Sequence, residues 1–192
     1  METKSEDHSY FEYQTNFIKD PNHYFEKLCI EVQFEQRKVK VFGKYFDEPR
    51  LTAMFSDNKL EQKYVYSKSE RTSLPMTPTL IELQKLVEER TKIHFDFVFL
   101  NFYRNGNDKV GWHSDLKGGL DPSNVASLSF GGERVFKFRD KKTKKVIWKE
   151  TLKNGSLVWM KNGCQEEYEH EVPKSTKIVK PRINLTFRKF LY

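Results

Sequence analysis

Alternating apolar and polar positions dominate the second half of the chain. They predict short β-strands, because successive side chains of a strand point to opposite faces. Turn residues such as Asn154-Gly155 and Asn162-Gly163 separate several of these runs. The predicted strands span residues 94–103, 110–115, 125–130, 134–139, 146–151, 156–160, 168–172 and 182–190. This half of the chain therefore predicts a β-rich domain.

Helical spacing of apolar residues appears earlier in the chain. Residues 21–36 show this spacing, and Asp20 before Pro21 predicts an N-cap followed by proline in the first turn. The pair Thr77-Pro78 gives the same start signal for a second helix over about residues 79–90. We therefore expect two helices ahead of most of the strands.

Helices followed by strands predict an α+β chain whose strands form a double-stranded β-helix, or jelly roll. Such a barrel gathers residues distant in sequence around one end of its interior. We expect this catalytic core to span residues 94–190. Residues 1–20 contain few aliphatic side chains and are expected to form a flexible N-terminal segment. No repeat or low-complexity linker interrupts the chain, so residues 1–192 are expected to form a single domain.

The composition allows a well-buried core and suggests a polyanionic partner. Of the 192 residues, 15% are aromatic, including 16 phenylalanines, so burial need not depend on aliphatic side chains. The net charge is +7, and residues 137–192 carry 15 basic and six acidic side chains. Residues 1–20 instead carry two basic and five acidic side chains. A basic half suggests nucleic acid, although a solvated lysine-rich surface explains the same charge equally well.

The two cysteines, Cys29 and Cys164, match neither a metal-binding spacing nor a disulfide framework. We expect two reduced thiols in a reducing compartment. The first residues contain no apolar run typical of a signal peptide, and no stretch approaches the length of a membrane span. The expectation is a soluble intracellular monomer without a membrane partner, nuclear if the source is eukaryotic.

Two His-x-Asp pairs are candidate metal ligands: His113-Ser114-Asp115 and His94-Phe95-Asp96. Two imidazoles and one carboxylate can occupy one face of a divalent iron and leave three positions open. His113 and Asp115 follow the turn-rich residues 104–108 and come shortly before two glycines, so they are expected where a strand opens into a loop. His94 and Asp96 fall within an uninterrupted predicted strand and are expected to be structural.

His170 supplies a second imidazole, and Arg182 lies shortly after it in the sequence. The planar guanidinium of Arg182 suits the far carboxylate of a dicarboxylic acid such as 2-oxoglutarate. An arginine facing the inside of an apolar barrel also needs an anionic partner. Asn184, Thr186 and Arg188 share the strand face of Arg182, although alternation in any half-buried strand could explain Asn184 and Thr186. The candidate metal ligands and Arg182 together suggest an oxygenase dependent on iron and 2-oxoglutarate.

Longer stretches resemble the AlkB family of nucleic-acid dealkylases. The motifs that carry the resemblance are Asn101-Phe102-Tyr103, Trp112-His113-Ser114-Asp115, Ala126 to Gly131, His170 and Pro181 to Arg188. Further motifs resemble the branch of the family that repairs double-stranded DNA: Val41-Phe42-Gly43-Lys44, Pro49-Arg50 and Tyr64-Val65-Tyr66-Ser67. The resemblance covers about residues 38–190, which is most of the chain.

The resemblance implies a catalytic centre in which His113, Asp115 and His170 hold Fe(II). It also implies a set of residues around 2-oxoglutarate: Asn101, Tyr103, Arg182, Asn184, Thr186 and Arg188. The implied activity is oxidative demethylation of N-alkylated bases, of the 1-methyladenine and 3-methylcytosine type, in DNA alkylation repair. Formaldehyde and succinate would be released.

By the same resemblance, residues 38–70 would form a nucleotide-recognition lid. The implied substrate contacts are Phe42, Gly43, Lys44, Tyr64, Tyr66, Ser67 and Leu116. Phe42 lies between Lys40 and Lys44 and could fill the gap left by a flipped base, although burial is the ordinary role of a lone phenylalanine. Tyr64 and Tyr66 could border that base or pack on the outside of the barrel.

Six lysines could contact phosphates of both strands, although a charged hairpin tip is the ordinary explanation for such a run. They are Lys141, Lys142, Lys144, Lys145, Lys174 and Lys177.

The chain departs from the family at Leu116-Lys117, where AlkB-type repair enzymes usually carry further acids that contact the damaged base. A lysine beside a cationic lesion is unfavourable unless it turns toward the phosphates. The departure leaves the metal ligands intact, but the family resemblance no longer determines which lesion is preferred. An RNA demethylase, a protein hydroxylase on the same barrel and a catalytically silent nucleic-acid-binding module are the alternatives.

Overall fold

The computed structural model describes residues 3–41, 43–57, 63–66, 69–116 and 119–191. The helices of this part of the chain are α1 (Pro21–Glu31), α2 (Pro78–Thr91) and α3 (Cys164–Glu167). Its first strands are β1 (Ser5–Asp7), β2 (Phe11–Gln14), β3 (Glu35–Val41), β4 (Lys44–Ser56), β5 (Lys63–Tyr66), β6 (Ser69–Thr72), β7 (Leu74–Pro75) and β8 (Phe97–Tyr103). The others are β9 (Val110–His113), β10 (Val125–Gly131), β11 (Arg134–Asp140), β12 (Val146–Leu152), β13 (Ser156–Met160), β14 (Tyr168–Val172) and β15 (Arg182–Arg188).

The strands form two main antiparallel sheets. The larger has the order β1-β2-β13-β10-β15-β8-β4-β3, and β7 joins β4 in parallel. The smaller has the order β12-β11-β14-β9, while β5 and β6 form a separate hairpin. Sequence neighbours are often far apart in this order, as in the jelly roll predicted from the sequence, and the α+β fold class is confirmed.

Both predicted helices are present and begin at the predicted caps. The Asp20 side chain accepts a hydrogen bond from the backbone N–H of His23, and the Thr77 hydroxyl accepts one from that of Leu80, each at 3.3 Å. The first helix is shorter than predicted, because Val32 takes up an extended backbone and packs in the core. Residues 32–36 therefore lead into β3 instead of continuing the helix.

The expectation of a flexible segment over residues 1–20 is wrong for residues 5–14, which contain two paired strands. Strand β2 pairs with β13 in the larger sheet, and β1 pairs with β2. Phe11 and Tyr13 are almost fully buried in the same cluster as Phe138 and Val158. The segment is thus anchored by alternating aromatic side chains, which a search for aliphatic residues overlooks.

All eight predicted strands are present, and three of them are shorter than predicted. Strand β8 begins at Phe97, three residues later than expected, while β9 ends at His113 and β15 at Arg188. His94 and Asp96 therefore precede the strand, which corrects their predicted placement inside it.

The two faces of the larger sheet have different roles. Helices α1 and α2 cover one face, where Leu28 and Leu83 share a core cluster with Val98, Leu128 and Leu185. Alternate residues of the same strands point the other way, toward the smaller sheet. That second face carries the polar side chains that build the site described next.

The two cysteines are free, as expected: Cys29 is exposed and Cys164 is buried. Burial raises the pKa of the Cys164 thiol to about 12, and the nearby Asp115 carboxylate adds to the effect. Cys164 therefore behaves as an uncharged packing residue.

Candidate active site

Three candidate metal ligands meet at one end of the smaller sheet. His113 ends β9, and His170 lies directly opposite it on the neighbouring antiparallel strand β14. Their ring centroids are 4.2 Å apart. Asp115 follows β9 by two residues, and its backbone N–H donates to Oε1 of Gln165 at 2.9 Å. Sheet pairing and this one backbone contact thus bring the predicted triad together.

The distances within the triad suit a single metal ion. Oδ1 of Asp115 lies 3.8 Å from Nε2 of His113, and Oδ2 lies 3.7 Å from Nε2 of His170. The potential ligand atoms of the three residues all lie within 4.8 Å of one another. One ion about 2.1 Å from each donor can bridge the 3.7 and 3.8 Å separations. Two imidazoles and one carboxylate form the donor set that suits Fe(II) with open positions.

Contacts around the triad orient its donor atoms. Nδ1 of His113 lies 2.8 Å from the carbonyl oxygen of Gly111, so an N–H at Nδ1 leaves the lone pair of Nε2 for a metal. Nη2 of Arg188 lies 2.6 Å from Oδ1 of Asp115. The ring of His170 stacks on Phe136 with a centroid distance of 5.4 Å.

The electrostatic environment keeps the ligands in their metal-binding forms. Burial alone would raise the pKa of Asp115, but Arg188, His170 and His113 outweigh it and hold the pKa well below its usual range. Burial, reinforced by His113, lowers the pKa of His170 to about 3. Near neutral pH the site therefore presents an ionised carboxylate and a neutral buried imidazole.

Arg182 is a buried cation with unused donors. Its side chain is 1% exposed, and Nη2 donates to Oγ of Ser129 at 2.9 Å. Among the described residues, Nε and Nη1 have no hydrogen-bond partner. Its guanidinium lies over the ring of Tyr103, 5.1 Å from the centroid. Burial of two unpaired charged donors is costly, so the position fits a carboxylate such as the distal end of 2-oxoglutarate.

Asn184 and Thr186 share the face of Arg182 but already have partners within the protein. Nδ2 of Asn184 donates to Oγ of Ser127 at 2.8 Å, and Oγ1 of Thr186 donates to the carbonyl oxygen of Phe99 at 3.0 Å. Asn101 joins this network, because its Nδ2 lies 3.4 Å from Oδ1 of Asn184. These contacts tie β15 to its neighbours, so a structural role for Asn184 and Thr186 has direct support.

All nine predicted metal and co-substrate residues line a single cavity between the two sheets. The cavity has about 620 Å³ of empty space, including the solvent at its mouth. Apolar side chains make up part of its wall: Phe99, Val110, Phe136, Met160 and Val172. An enclosed mixed wall of this kind suits a small co-substrate beside a metal.

None of the predicted substrate contacts whose side chains the structure describes lines the cavity. Gly43 has a φ of +80° in the β3–β4 turn, and Lys44 follows it on an exposed part of β4. Leu116 is 43% exposed, and none of these three lines the cavity. Phe42 and Ser67 lie outside the described residues. Tyr64 and Tyr66 belong to β5, but the description does not extend to their side chains.

Three of the six lysines expected to meet phosphates contact acceptors within the protein. Lys144 pairs with Glu169 at 3.1 Å and Lys142 with Glu167 at 3.8 Å. Nζ of Lys141 donates to the carbonyl oxygen of Gln165. The tip of the β11–β12 hairpin thus has less uncompensated charge than its sequence suggests.

The second His-x-Asp pair has local partners instead of a shared metal site. Nδ1 of His94 lies 2.9 Å from Oε1 of Glu88 on α2, and Oδ1 of Asp96 accepts from the backbone N–H of Phe190 at 2.9 Å. The interpretation of this pair as structural agrees with these contacts.

Three residues near the site were not among those predicted from the sequence. Arg50 lines the cavity from β4, Gln165 holds the backbone of Asp115, and Arg134 lies over the ring of Tyr103, 5.5 Å from the centroid. Alternation of Glu48, Arg50 and Thr52 in an apolar strand was a signal for Arg50. Nothing in the sequence pattern marks Gln165, because its role depends on a contact 50 residues away.

Known proteins resemble this chain over most of its length. A sequence model described as the 2OG-Fe(II) oxygenase superfamily matches residues 13–188. The DNA oxidative demethylase ALKBH2 of Mus musculus is 37% identical over 178 residues, which cover 87% of this chain and 74% of that protein. The chain belongs to the AlkB family of 2OG-Fe(II) oxygenases.

Another AlkB relative is the alpha-ketoglutarate-dependent dioxygenase alkB homolog 3 of Bos taurus. It is 36% identical over 181 residues, covering 89% of this chain, and the chain spans only 62% of the length of that relative. The solved structure of OsALKBH1 matches with a TM-score of 0.67 and 17% identity, over 97% of this chain and 100% of that one. At this identity the structural match supports the AlkB fold alone.

Membership of the AlkB family implies Fe(II) and 2-oxoglutarate. The residues present fit both groups, because the triad offers an open-sided donor set and Arg182 offers unpaired buried donors. Within the described part of the chain, no helix is both long and apolar enough to cross a membrane.

Proposed function

We propose that this chain is an oxidative demethylase of N-alkylated bases in DNA, acting on lesions of the 1-methyladenine and 3-methylcytosine type in duplexes. One observation carries the proposal: His113, Asp115 and His170 converge in the same cavity as the unpaired donors of Arg182. The names of the relatives, which include DNA oxidative demethylase, support DNA as the substrate class.

The proposed division of roles follows from the position of each side chain. His113, Asp115 and His170 would hold Fe(II), and Arg182 would bind the distal carboxylate of 2-oxoglutarate. The bound groups supply oxidative decarboxylation to succinate with molecular oxygen, coupled to hydroxylation of an N-methyl group that leaves as formaldehyde. Arg188 favours the ionised form of Asp115, and the apolar side chains of Phe136 and Val172 would limit the access of water.

Entry of a base requires that it leave the stack, because the triad lies inside the barrel. The β3–β4 hairpin is the proposed point of contact with the duplex, as part of a lid over residues 38–70. Next to its turn, Tyr45 and Phe46 are 67% and 52% exposed and follow the exposed Lys44. Exposed aromatic side chains beside cations are the features of elements that insert into DNA, which supports Phe42 as a wedge.

A formaldehyde-release assay tests the activity. Single- and double-stranded DNA and RNA carrying 1-methyladenine or 3-methylcytosine are incubated with and without 2-oxoglutarate. We expect release from duplex DNA that requires 2-oxoglutarate and is abolished by His113→Ala or Asp115→Ala, with circular dichroism confirming that both variants fold. Release from RNA alone would replace the DNA proposal, and salt-dependent binding without turnover would identify a silent binding module.

The proposed wedge has a separate test. Phe42→Ala should lower demethylation of duplexes more than that of single strands, because only a duplex has a gap to fill. Ile30→Ala is the matched control, since Ile30 is an exposed apolar side chain on α1. Equal losses on both substrates would count against insertion of Phe42.

A further inference from the structure

A buried ion pair lies in the cavity wall formed by β4. Glu48, Arg50 and Thr52 share the face of this strand that points into the barrel, and all three are buried. Oε2 of Glu48 lies 3.6 Å from Nη2 of Arg50. Arg50 lines the cavity, whereas Glu48 is not among the lining residues. The cation therefore faces the cavity, and its counter-charge does not.

Neighbouring contacts hold this pair in place. Nε of Arg50 donates to Oδ1 of Asn101 on β8. On the other side, Nε2 of Gln36 donates to the backbone carbonyl oxygens of Glu48 at 2.6 Å and Arg50 at 3.4 Å. The backbone carbonyl of Pro49 accepts from Lys109 at 2.8 Å. The guanidinium thus has a fixed position in the wall.

The charges around the cavity make Glu48 the counter-charge of Arg50. Three arginines are among the lining residues: Arg50, Arg182 and Arg188. Arg188 pairs with Asp115, and Arg182 has the unpaired donors that fit a bound dicarboxylate. Among the described lining residues, Asp115 is the one acid, and it is already engaged by Arg188 and the triad. Neutralisation of Arg50 comes from Glu48.

We propose that Glu48 determines substrate specificity by neutralising Arg50, so that the cavity admits a base carrying a positive charge. The inference rests on the proposed demethylase function and names the charge class of its substrate. Adenine methylated at N1 and cytosine methylated at N3 are cationic when protonated. An uncompensated guanidinium in a low-dielectric wall repels such a base. Glu48 acts through Arg50, so it is a positioning residue.

A matched pair of substrates isolates this effect. 3-Methylcytosine and 3-methyluracil share the ring and the methylated N3 and differ only at position 4, where an amino group replaces a carbonyl oxygen, and only the first becomes a cation. The measured quantity is the ratio of kcat/KM for oligonucleotides carrying the two bases. Glu48→Gln should lower the ratio of cationic to neutral substrate on the order of tenfold. Glu35→Gln is the control, because Glu35 makes the same kind of arginine pair on the exposed side of β3.

A variant of Arg50 should change the ratio in the opposite direction, and it tests the proposal even if Glu48→Gln fails to fold. Arg50→Gln leaves the Glu48 charge in place without its cation, so the ratio should rise above that of the wild type. Loss of the Asn101 contact lowers turnover of both substrates together and cancels in the ratio. Binding of the two oligonucleotides without iron, measured by fluorescence anisotropy, should shift in the same directions.

The outcomes separate the two proposals. Ratios for Glu48→Gln and Arg50→Gln that both equal the wild-type ratio would overturn the role of Glu48, even if the variants are less stable. Release of formaldehyde from neither substrate by the wild-type protein would instead overturn the demethylase proposal. Opposite shifts in the two variants, with an unchanged ratio in Glu35→Gln, would establish charge neutralisation.

Discussion

Arg188 and Asp115 join the two sheets at the candidate metal centre, with 2.6 Å between Nη2 and Oδ1. Arg188 ends β15 in the larger sheet, whereas Asp115 follows β9 in the smaller one. Both side chains are less than one-tenth exposed. The pair therefore fixes the carboxylate ligand relative to the strand that also carries Arg182.

Replacement of Arg188 by methionine should lower the free energy of unfolding of the metal-free protein by about 3–5 kcal/mol at pH 7, because it leaves a buried carboxylate unpaired. The ionised form of Asp115 is favoured in the folded state, so its contribution is present above about pH 4 and is lost as the pH falls. In the variant this dependence below pH 4 should weaken. Urea unfolding at several pH values measures the free energy of unfolding of both proteins. The same pH dependence in the wild type and the variant would contradict the expectation.

His170 should make the metal-free protein sensitive to mild acid. Its pKa in the folded state is about 3, and the ordinary value is 6.5. Stability from the neutral imidazole is therefore present above pH 6.5 and decreases as the pH falls toward 3, by about 2 kcal/mol at pH 5.

His170→Phe should flatten this part of the curve, since the ring stacked on Phe136 can no longer be protonated in the unfolded chain. Denaturant unfolding at pH 7.5 and pH 5, with a chelator present, provides the measurement. His23→Phe, at an exposed histidine on α1, is the control and should retain the wild-type difference. An unchanged slope in His170→Phe would be evidence against a buried neutral imidazole.

Arg182→Lys should raise the KM for 2-oxoglutarate by about 10–100-fold. Lysine keeps the positive charge but lacks the planar pair of donors that the buried Nε and Nη1 provide. Initial rates at varied 2-oxoglutarate, with Arg90→Lys on the surface as the control, test this. A KM that stays within twofold of the wild type would show that the far carboxylate binds elsewhere.

Gln165→Leu should weaken Fe(II) affinity by about 10–100-fold, because Gln165 orients the backbone of Asp115 without being a ligand. Anaerobic titration of the metal-free protein against a competing chelator measures the affinity directly. Gln33→Leu, at an exposed position, controls for the loss of an amide. Equal affinities of the two variants would assign Gln165 to packing alone.

Much of the fold follows from local patterns, because burial of one strand face imposes a period of two. The runs around Asn101 and Arg182 were recognisable for this reason, and the caps at Asp20 and Thr77 mark helix starts directly. The ends of the strands were harder to predict from the sequence, since they depend on tertiary contacts. The start of β8 at Phe97 is an example, because the preceding Asp96 is engaged by Phe190 and Arg188 from the chain terminus.

The residues of the site also divide into those that the sequence predicts and those that depend on the fold. His113, Asp115, His170 and Arg182 could be predicted because their residue types and order carry chemical meaning. Gln165 could not, because a glutamine becomes functional only through neighbours brought by folding. Arg50 is intermediate, since alternation with Glu48 and Thr52 marks its strand face but its place in the cavity wall depends on the fold. Asn184 illustrates a third case, in which a correct position says little about role until its contact with Ser127 is known.

The pairing of His113 with His170 across β9 and β14 makes this site unusually sensitive to chain length in one strand. Deletion of a single residue between Tyr168 and His170 would turn the imidazole to the outer surface while leaving the sheet content unchanged. Length changes in the β11–β12 turn carry no such penalty. Natural variation in length is therefore expected to accumulate at that turn and to be absent from β14.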